Sequence, residues 1–291
     1  MMKAHAKINL FLTVGRKDET GKHLLKTVFQ PLTLHDRILV EESIEPGIHV
    51  SSDQSDIPNG RGNTAYRAVE LIAKAAGKDL TSSGVRIRIE KCIPLSSGLG
   101  GSAIDAAPVF TKLNSLWRLG LDARGLEELG AQVGADVPQA IRCRTCYAEG
   151  YGDIIKEEFR LDPIHVCIAI PHKYISSMDG QKTAFLYKEI DNTERPSVSE
   201  QVMLTALRTG KWKYITRAMH NDFESLAFRL HPELESIKRK MVEEYGALGA
   251  LLSGSGGAVF GLFNDSAAVM RAWEALVKND FVREILQKET I

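Results

Sequence analysis

The sequence predicts a mixed α+β fold organised as two domains, and two observations lead to this prediction. Along the whole chain of 291 residues, segments with the alternating pattern of strands are interspersed with segments of helical period. A turn-rich stretch at residues 149–153 then divides the chain into halves that each contain both kinds of segment. We therefore expect an amino-terminal domain at residues 1–154 and a carboxy-terminal domain at residues 155–291.

Composition excludes several classes of function. Lys and Arg total 37 and are balanced by 37 Asp and Glu, so no basic excess points to nucleic acid. No apolar run approaches the roughly 20 residues that cross a bilayer, and residues 1–5 lack the blocks of a secretory signal. We expect a soluble cytoplasmic protein, a monomer or weak homodimer, that binds neither nucleic acid nor membrane.

Three strands are predicted in the first half. Residues 6–14 alternate between polar and apolar side chains, and residues 37–42 do the same. Residues 85–89 give the clearest strand, because Arg86 and Arg88 alternate with apolar residues and define a basic face.

Three helices are also predicted in this half. Asn63 is a typical N-cap for a helix at residues 64–76 that Gly77 would close. A second helix begins near Ser102 and continues toward residue 117. A third covers about residues 122–133.

The second half repeats this mixture. Apolar runs predict strands at residues 164–170, 248–252 and 258–263. A capping box at residues 197–200 and a proline at position 232 are typical helix starts. The helices predicted there cover residues 197–208, residues 232–245 and a segment from about residue 266.

A glycine- and serine-rich loop joins the basic-faced strand to the second helix. In such a loop, backbone N–H groups can approach a phosphate, and the helix amino terminus adds partial positive charge. The loop lacks the lysine of a Walker A motif and the spacing of a Rossmann fingerprint. It is therefore either a tight connection or an anion-binding loop. The candidate phosphate-binding residues are Pro94, Ser96, Ser97, Gly98, Leu99, Gly100, Gly101 and Ser102.

A second loop of small residues separates the last two predicted strands. It is either a glycine-rich hairpin turn or the other half of a shared phosphate pocket, and the presence of two such loops favours the pocket. Its candidate residues are Ser253, Gly254, Ser255 and Gly256.

Three polar residues have two interpretations each. Asp136 stands between a helix stop and a proline, where it is either the cap of the next helix or a carboxylate of a site. Lys7 and Asn9 share one face of the first strand, which is either the solvent side or part of a site.

Two of the four cysteines have the spacing of a metal or redox pair. Cys143 and Cys146 form a single C-x-x-C, and no second such pair or H-x-x-x-H completes a zinc tetrahedron. We interpret them as reduced structural residues, because four scattered cysteines do not form a disulfide framework in a chain of this length.

The order of these motifs resembles the GHMP superfamily of small-molecule kinases. Within it, the sequence is most similar to the branch that phosphorylates a cytidine-diphosphate-linked methylerythritol in the non-mevalonate isoprenoid pathway. The resemblance spans nearly the whole chain. It rests on residues 6–12, 21–23, 29–30, 94–107, 134–138, 221–224 and 253–256.

The resemblance implies a fold and two cofactors. The amino-terminal domain would be the ATP-binding domain and would resemble domain 2 of ribosomal protein S5. The carboxy-terminal domain would be ferredoxin-like, with the cleft between the two. The cofactors would be ATP and Mg²⁺.

The resemblance also implies roles for single residues. Asp136 would be the base that accepts the proton of the substrate hydroxyl, and Lys7 the cation beside it. Residues 94–102 would bind the ATP phosphates, with Ser102 near the magnesium ion. The helix that starts at Asn63 would border the adenosine site.

On the substrate side, Asn9 would bind the hydroxyls of the polyol and His23 the cytosine edge, while residues 253–256 would close over both. Lys22 occupies the position of an aromatic ring in the family, and it could contact a diphosphate. Residues 172–187 look longer than the family's counterpart, and Phe185 or Tyr187 there would supply a ring to the cytidine.

Three functions remain open on the sequence. The first is an ATP-dependent kinase whose small-molecule substrate is the cytidine-diphosphate polyol. The second is a GHMP-type kinase of a different polyol, sugar or amino-alcohol. The third is a non-catalytic nucleotide sensor, which would not need both Lys7 and Asp136.

Overall fold

The computed structural model describes residues 1–172 and 182–291, without the side chains of residues 182 and 183. Residues 173–181, which belong to the segment at 172–187 discussed above, therefore lie outside the described residues. Within the described ranges, the strands form a seven-stranded and a four-stranded sheet, and helices pack with both. The predicted mixed fold is confirmed.

The seven-stranded sheet contains most of the first half of the chain. Its order is β3-β4-β2-β1-β8, and β5 pairs with both β2 and β6. The strand β8 lies parallel to β1, so a segment from the second half of the chain extends this sheet. Its strands are β1 (Met2–Lys17), β2 (His23–Ser43), β3 (Gly47–Ser52), β4 (Gly84–Glu90), β5 (Thr145–Glu149), β6 (Ile154–Phe159) and β8 (His220–Asn221).

The four-stranded sheet is antiparallel, with the order β11-β7-β10-β9. One strand, helices, two strands, a helix and a last strand follow each other along the chain, which is the ferredoxin-like βαββαβ arrangement. The strands are β7 (His165–Pro171), β9 (Gly249–Leu252), β10 (Val259–Phe263) and β11 (Val282–Glu289).

The described helices fall into two groups. The first group is α1 (Thr64–Ala75), α2 (Ala106–Leu116), α3 (Ala123–Ala131) and α4 (Val137–Arg142). The second group is α5 (Lys182–Glu189), α6 (Glu200–Arg208), α7 (Trp212–Ala218), α8 (Glu224–Leu230), α9 (Pro232–Glu243) and α10 (Ser266–Leu276).

A common apolar core joins the two halves. The largest cluster of buried apolar side chains includes Ile8 and Phe110 from the first half and Val166 and Phe260 from the second. Burial of this shared surface holds the two sheets in a fixed relation. The predicted boundary at residue 154 falls on the first residue of β6, which pairs with β5, and it stays a prediction.

Several predicted elements differ in detail from those observed. The helix expected from Ser102 starts instead as a 3₁₀ turn at Gly101–Asp105, with α2 following at Ala106. The capping box begins its helix two residues later than expected, since Ser199 is the N-cap and accepts a hydrogen bond from the Gln201 amide. The strand β11 was not predicted, because half-buried residues on both faces remove the alternation.

No helix in the described ranges has the length and apolar character needed to cross a membrane.

Asn63→Ala should lower the free energy of unfolding more than Asp265→Ala. Asn63 is buried; it accepts from the Ala65 amide at 2.8 Å and donates to the Pro58 carbonyl at 2.8 Å. Asp265 caps α10 through a single bond from Ala268 at 2.7 Å. Loss of a cap costs about 1 kcal/mol, and loss of the second bond of Asn63 adds about 1 kcal/mol. Urea denaturation measures the free energy of unfolding of both variants. An equal or larger loss for Asp265→Ala would contradict the two hydrogen bonds assigned to Asn63.

Candidate active site

The amine of Lys7 lies at the centre of the site. Lys7 is only 5% exposed, which contradicts the interpretation of its strand face as the solvent side. Its Nζ donates to Asn9 Oδ1 at 2.8 Å and to the Gly98 carbonyl at 3.2 Å, and lies 3.8 Å from Asp136 Oδ2. A buried ammonium group requires such partners, so it draws three segments of the chain together.

The backbone of β1 is irregular on both sides of the segment that carries Lys7 and Asn9. Its register against β2 shifts between His5 and Lys7 and again between Asn9 and Phe11. Such irregularities redirect side chains, and they commonly lie beside active sites. Strict alternation therefore could not decide between the solvent side and a site for Lys7 and Asn9.

Asn9 is fixed by its own hydrogen bonds. It is 3% exposed, and its Nδ2 donates to Thr27 Oγ1 at 2.8 Å. Thr27 in turn donates to the Phe11 carbonyl at 2.9 Å. Because these bonds occupy the Asn9 amide nitrogen, its oxygen is oriented toward Lys7.

The first glycine-rich loop is held by contacts within itself and to β1. Ser97 is buried and donates to the Pro94 carbonyl at 2.6 Å, and the Lys7 amide donates to the Leu99 carbonyl at 3.0 Å. Gly98 and Gly100 have φ of 79° and 101°, values that favour glycine. The loop then enters the 3₁₀ turn and α2, whose amino end favours an anion.

The second small-residue loop packs directly against the first. Ser253 Oγ donates to the Gly98 carbonyl at 3.0 Å, and a Cβ on Gly98 would lie 2.4 Å from the Ser253 carbonyl oxygen. Asn221 donates to the Leu252 and Gly254 carbonyls, at 2.8 Å each. The two loops therefore form one structure, as the sequence favoured over two separate turns.

Asp136 occupies the N-cap position of α4, yet its side chain makes no capping hydrogen bond. The capping interpretation is therefore wrong. The carboxylate is 31% exposed and faces Lys7, so it remains accessible to a ligand.

These residues line one cavity of about 610 Å³, which we call the phosphate cavity. Its lining includes Lys7, Asn9, Asp136 and Thr27. From the two loops it includes Ser96, Ser97, Gly98, Gly100, Gly101, Ser102, Gly254 and Ser255.

A second cavity of about 620 Å³ adjoins it, which we call the base cavity. Leu25, Ala135, Tyr151 and Tyr187 line both cavities, so the two share a wall. The base cavity is further lined by Lys17, Lys22, His23 and Lys188. It therefore combines aromatic surface with several ammonium groups.

His23 is buried at the base cavity. Its Nδ1 lies 2.8 Å from the Gly15 carbonyl oxygen. Its Nε2 lies 3.3 Å from Asp191 Oδ1 but has no hydrogen-bond partner of acceptable geometry among the described residues. This nitrogen is buried and faces the Asp191 carboxylate.

Lys22 lies with its Nζ 5.3 Å from the centre of the Tyr151 ring. The Tyr151 hydroxyl donates to Asp18. This bond lowers the pKa of the Asp18 carboxyl most, the bond from the Thr20 side chain has the next largest effect, and the pKa falls to about 2. These contacts hold the Tyr151 ring in the shared wall.

The structure does not bring Phe185 to the site. Phe185 on α5 is 37% exposed and lies outside both linings, whereas Tyr187 of the same helix lines both cavities. The Tyr187 ring centre lies 5.8 Å from that of His23 and 5.0 Å from that of Phe223. Burial, with the negative charge of Asp136, raises the pKa of Tyr187, which keeps its hydroxyl neutral.

Besides Phe185, five predicted site residues lie outside both linings: Asn63, Pro94, Leu99, Ser253 and Gly256. Asn63 donates to the carbonyl of Pro58, which does line the phosphate cavity. The carbonyls of Leu99 and Pro94 accept from the Lys7 amide and from Ser97.

Ser253 is fully buried, and its hydroxyl binds the first loop. Ser102 lines the phosphate cavity, is exposed, and its carbonyl accepts from Thr64 Oγ1.

Sequence reasoning missed several residues of the site. Thr27 and Phe29 come from β2, and the Lys7 Nζ lies 5.6 Å from the centre of the Phe29 ring. Tyr151 comes from the turn between β5 and β6. Residues 29–30 contributed to the family resemblance, but no local pattern assigned Thr27, Phe29 or Tyr151 to a site, because only the pairing of distant strands brings them to the cavity.

The cysteines of the C-x-x-C pair are free in this structure. Cys146 is fully buried in β5, and Cys143 lies at the end of α4 with a φ of 50°. Burial raises the pKa of Cys143, and it raises those of Cys146 and Cys167 to about 12. In the described ranges, no group of three or more His, Cys, Asp or Glu is arranged to hold a metal ion.

Thiol labelling tests this burial. At pH 8 iodoacetamide should modify the exposed Cys92 first, since alkylation requires an accessible thiolate. Cys146 and Cys167 should stay unmodified in the folded protein, because their raised pKa values leave almost no thiolate. Mass spectrometry after timed quenching gives the order. Cys92→Ser should remove the fast phase, and early modification of Cys146 would contradict the structure.

Family comparisons first give the class of protein. A model of the GHMP kinases N terminal domain matches residues 63–144, and a model of the GHMP kinases C terminal region matches residues 203–282. The two matches fall on opposite sides of the predicted boundary. A crystal structure of the L. major mevalonate kinase shares the fold, with a TM-score of 0.66 at 18% identity over 100% of this chain and 96% of the other.

Curated relatives then give the family. The 4-diphosphocytidyl-2-C-methyl-D-erythritol kinase of Alkaliphilus metalliredigens is 36% identical over 99% of this chain and 94% of the relative. That of Pelotomaculum thermopropionicum is also 36% identical, over 90% and 88%. A crystal structure of 4-(cytidine 5'-diphospho)-2C-methyl-D-erythritol kinase gives a TM-score of 0.78 at 35% identity, over 99% and 98%. The chain belongs to the family of 4-diphosphocytidyl-2-C-methyl-D-erythritol kinases, which confirms the resemblance found in its sequence.

Proposed function

We propose that this protein transfers the γ-phosphoryl group of ATP to a hydroxyl of 4-diphosphocytidyl-2-C-methyl-D-erythritol. It would act in the cytoplasm, in the non-mevalonate route to isoprenoid precursors. The observation that carries the proposal is the approach of Lys7 and Asp136, at 3.8 Å, in the wall of a cavity that two glycine-rich loops also line. The names of the full-length relatives supply the substrate.

The residues present account for the proton, the bond formed and the bond broken in this transfer. The carboxylate of Asp136 accepts the proton of the substrate hydroxyl while the oxygen of that hydroxyl bonds to the γ-phosphorus. The bond from that phosphorus to the β–γ bridging oxygen breaks, and ADP leaves. The Lys7 ammonium lies beside the transferred group and stabilises its negative charge. The amino-terminal part, residues 1–154, thus provides the base and the ATP loop, and residues 155–291 add the second loop.

The same cavity fits a magnesium nucleotide. Magnesium prefers oxygen ligands and is commonly held by substrate phosphates with few protein groups. Ser102 lies exposed in the lining, so its hydroxyl would hold the ion beside the β- and γ-phosphates. When bound, the ion neutralises phosphate charge during transfer.

The base cavity fits a cytidine diphosphate. Tyr187 and Tyr151 offer ring surface for stacking, and His23 contributes its imidazole to the same lining. The ammonium groups of Lys17, Lys22 and Lys188 in the same lining suit a diphosphate. The shared wall lets one ligand extend from the base cavity to Asp136.

One observation favours a second candidate. Lys22 stands where the family resemblance implies an aromatic ring, so a kinase of another polyol, sugar or amino-alcohol is the alternative. A screen of ADP release with cytidylated and plain polyols separates the two. Turnover of plain polyols alone would select the alternative, and competition by cytidine diphosphate would select the first candidate.

Asp136→Asn should abolish ADP release while leaving ATP affinity within about twofold, because the amide cannot accept the proton and the phosphate contacts remain. We expect kcat to fall by at least about a hundredfold. Steady-state kinetics and calorimetric titration of ATP measure the two effects. Asp162→Asn, at an exposed position outside both linings, is the control. A loss of only a few-fold at Asp136 would remove it from the role of base.

Tyr187→Leu should raise the KM for the cytidylated substrate about tenfold, since a stacked base is worth about 1–3 kcal/mol. Phe185 is two residues away on the same helix but outside the cavities. Phe185→Leu should change the KM less than about twofold, because Phe185 makes no stacking contact with the base. Tyr187→Phe keeps the ring and should retain most of the affinity. A larger effect at Phe185 than at Tyr187 would show that the ring assignment is wrong.

A further inference from the structure

A buried cluster of charged side chains flanks both ends of the first glycine-rich loop, residues 94–102, which we call the phosphate loop. Lys91 follows β4 just before the loop, and Asp105 ends the 3₁₀ turn just after it. Asp36 belongs to β2, far away in the sequence. The side chains of Lys91 and Asp36 are 0% exposed and that of Asp105 is 1% exposed, and none of the three is among the residues that line the two cavities.

The contacts of the cluster join the two ends of the loop. Lys91 Nζ donates to Asp36 Oδ2 and, at 2.9 Å, to Asp105 Oδ2. Asp36 Oδ1 accepts from the backbone amides of Cys92 at 2.6 Å and Ile93 at 2.8 Å. The entry to the loop is therefore bound to β2, and the exit is bound to the entry.

The two carboxylates differ in how fully they are used. Asp36 accepts through both oxygens, from three donors. Asp105 accepts through Oδ2 alone, and its buried Oδ1 has no hydrogen-bond partner among the described residues. A neutral amide with a single oxygen can thus take over the contact of Asp105 but cannot take over those of Asp36.

The charges of the cluster also indicate that Asp36 and Asp105 are not equivalent. One ammonium group faces two carboxylates, an excess of one negative charge in a buried place. Burial raises the pKa of Asp105 to about 7; the Lys91 ammonium opposes this rise and the Asp36 carboxylate adds to it. A neutral group at position 105 is consequently compatible with the cluster, whereas Asp36 is needed as an anion by its three donors.

We propose that Asp36, Lys91 and Asp105 form a positioning cluster that fixes both ends of the phosphate loop and thereby strengthens ATP binding. The proposal rests on the ATP-binding role given to the loop above. The loop contains three glycines with positive φ, so its backbone needs external support to hold a single conformation. Supporting contacts of this kind reduce the ordering that a ligand must impose.

The test compares two substitutions of equal size, Asp36→Asn and Asp105→Asn. Calorimetry with magnesium and adenylyl imidodiphosphate, a non-hydrolysable ATP analogue, gives nucleotide affinity at a temperature where each variant is folded. Asp36→Asn should weaken it about tenfold and Asp105→Asn at most about threefold, because small displacements of a binding loop are costly. Affinity for the cytidylated substrate should change less than about twofold in either, since the loop that the cluster holds lines the phosphate cavity and not the base cavity.

Val109→Ala controls for simple loss of stability. Val109 is fully buried on α2, takes part in none of the cluster's hydrogen bonds and lines neither cavity, and its truncation should lower Tm. A purely structural role for Asp36 would make Asp36→Asn behave like this control, with a lower Tm and normal nucleotide affinity. That result would overturn the proposal, as would an equal loss of affinity in the two Asn variants.

Hydrogen exchange carries the test if Asp36→Asn does not fold. In the wild-type protein without nucleotide, the amides of Cys92 and Ile93 should exchange as slowly as those of the β2–β4 ladder. Exchange as fast as at residues 96–98 would overturn the proposal. Absence of nucleotide binding by the wild-type protein would instead refute the proposed function, and this inference with it.

Discussion

The active site depends on the burial of a single ammonium group, that of Lys7. Burying such a charge costs several kcal/mol unless acceptors surround it. Its acceptors come from β1, from the phosphate loop and from the start of α4. Because leaving out any of these acceptors would cost free energy, the burial of Lys7 keeps the glycine-rich loop at residues 94–102 and the Asp136 carboxylate within reach of one another.

The two sheets meet at the same point. The Gly98 carbonyl accepts from both Lys7 and Ser253, so the second-half loop is fixed against the first-half loop by the atom that also holds the ammonium. Asn221, at the edge of the seven-stranded sheet, binds the carbonyls on either side of Ser253. Because both loops are fixed in this way, the proposed nucleotide site needs little rearrangement before a ligand binds, which lowers the ordering cost of binding.

The sequence contained the parts of the fold and of the site that depend on local chemistry. Asn63, the glycines of both loops and Pro232 impose their conformations through their own backbone preferences or caps, so their elements could be predicted. The burial of Lys7 could not, because it follows from strand irregularities that one strand alone does not reveal. The ring of Tyr187 was left beside Phe185 as an alternative, since only the orientation of the helix distinguishes two residues so close in sequence. The cluster at Asp36 was missed for a similar reason, as its members are distant in sequence.

A double-mutant cycle on Lys7 and Asp136 tests the central claim most directly. ADP release by Lys7→Met, Asp136→Asn and the double variant gives kcat/KM for each at saturating magnesium. If the ammonium and the carboxylate act as one unit on the attacking hydroxyl, the double variant should lose about as much activity as the worse single variant. Losses that multiply would mean that the two groups act independently, and that the contact between them is not the basis of catalysis.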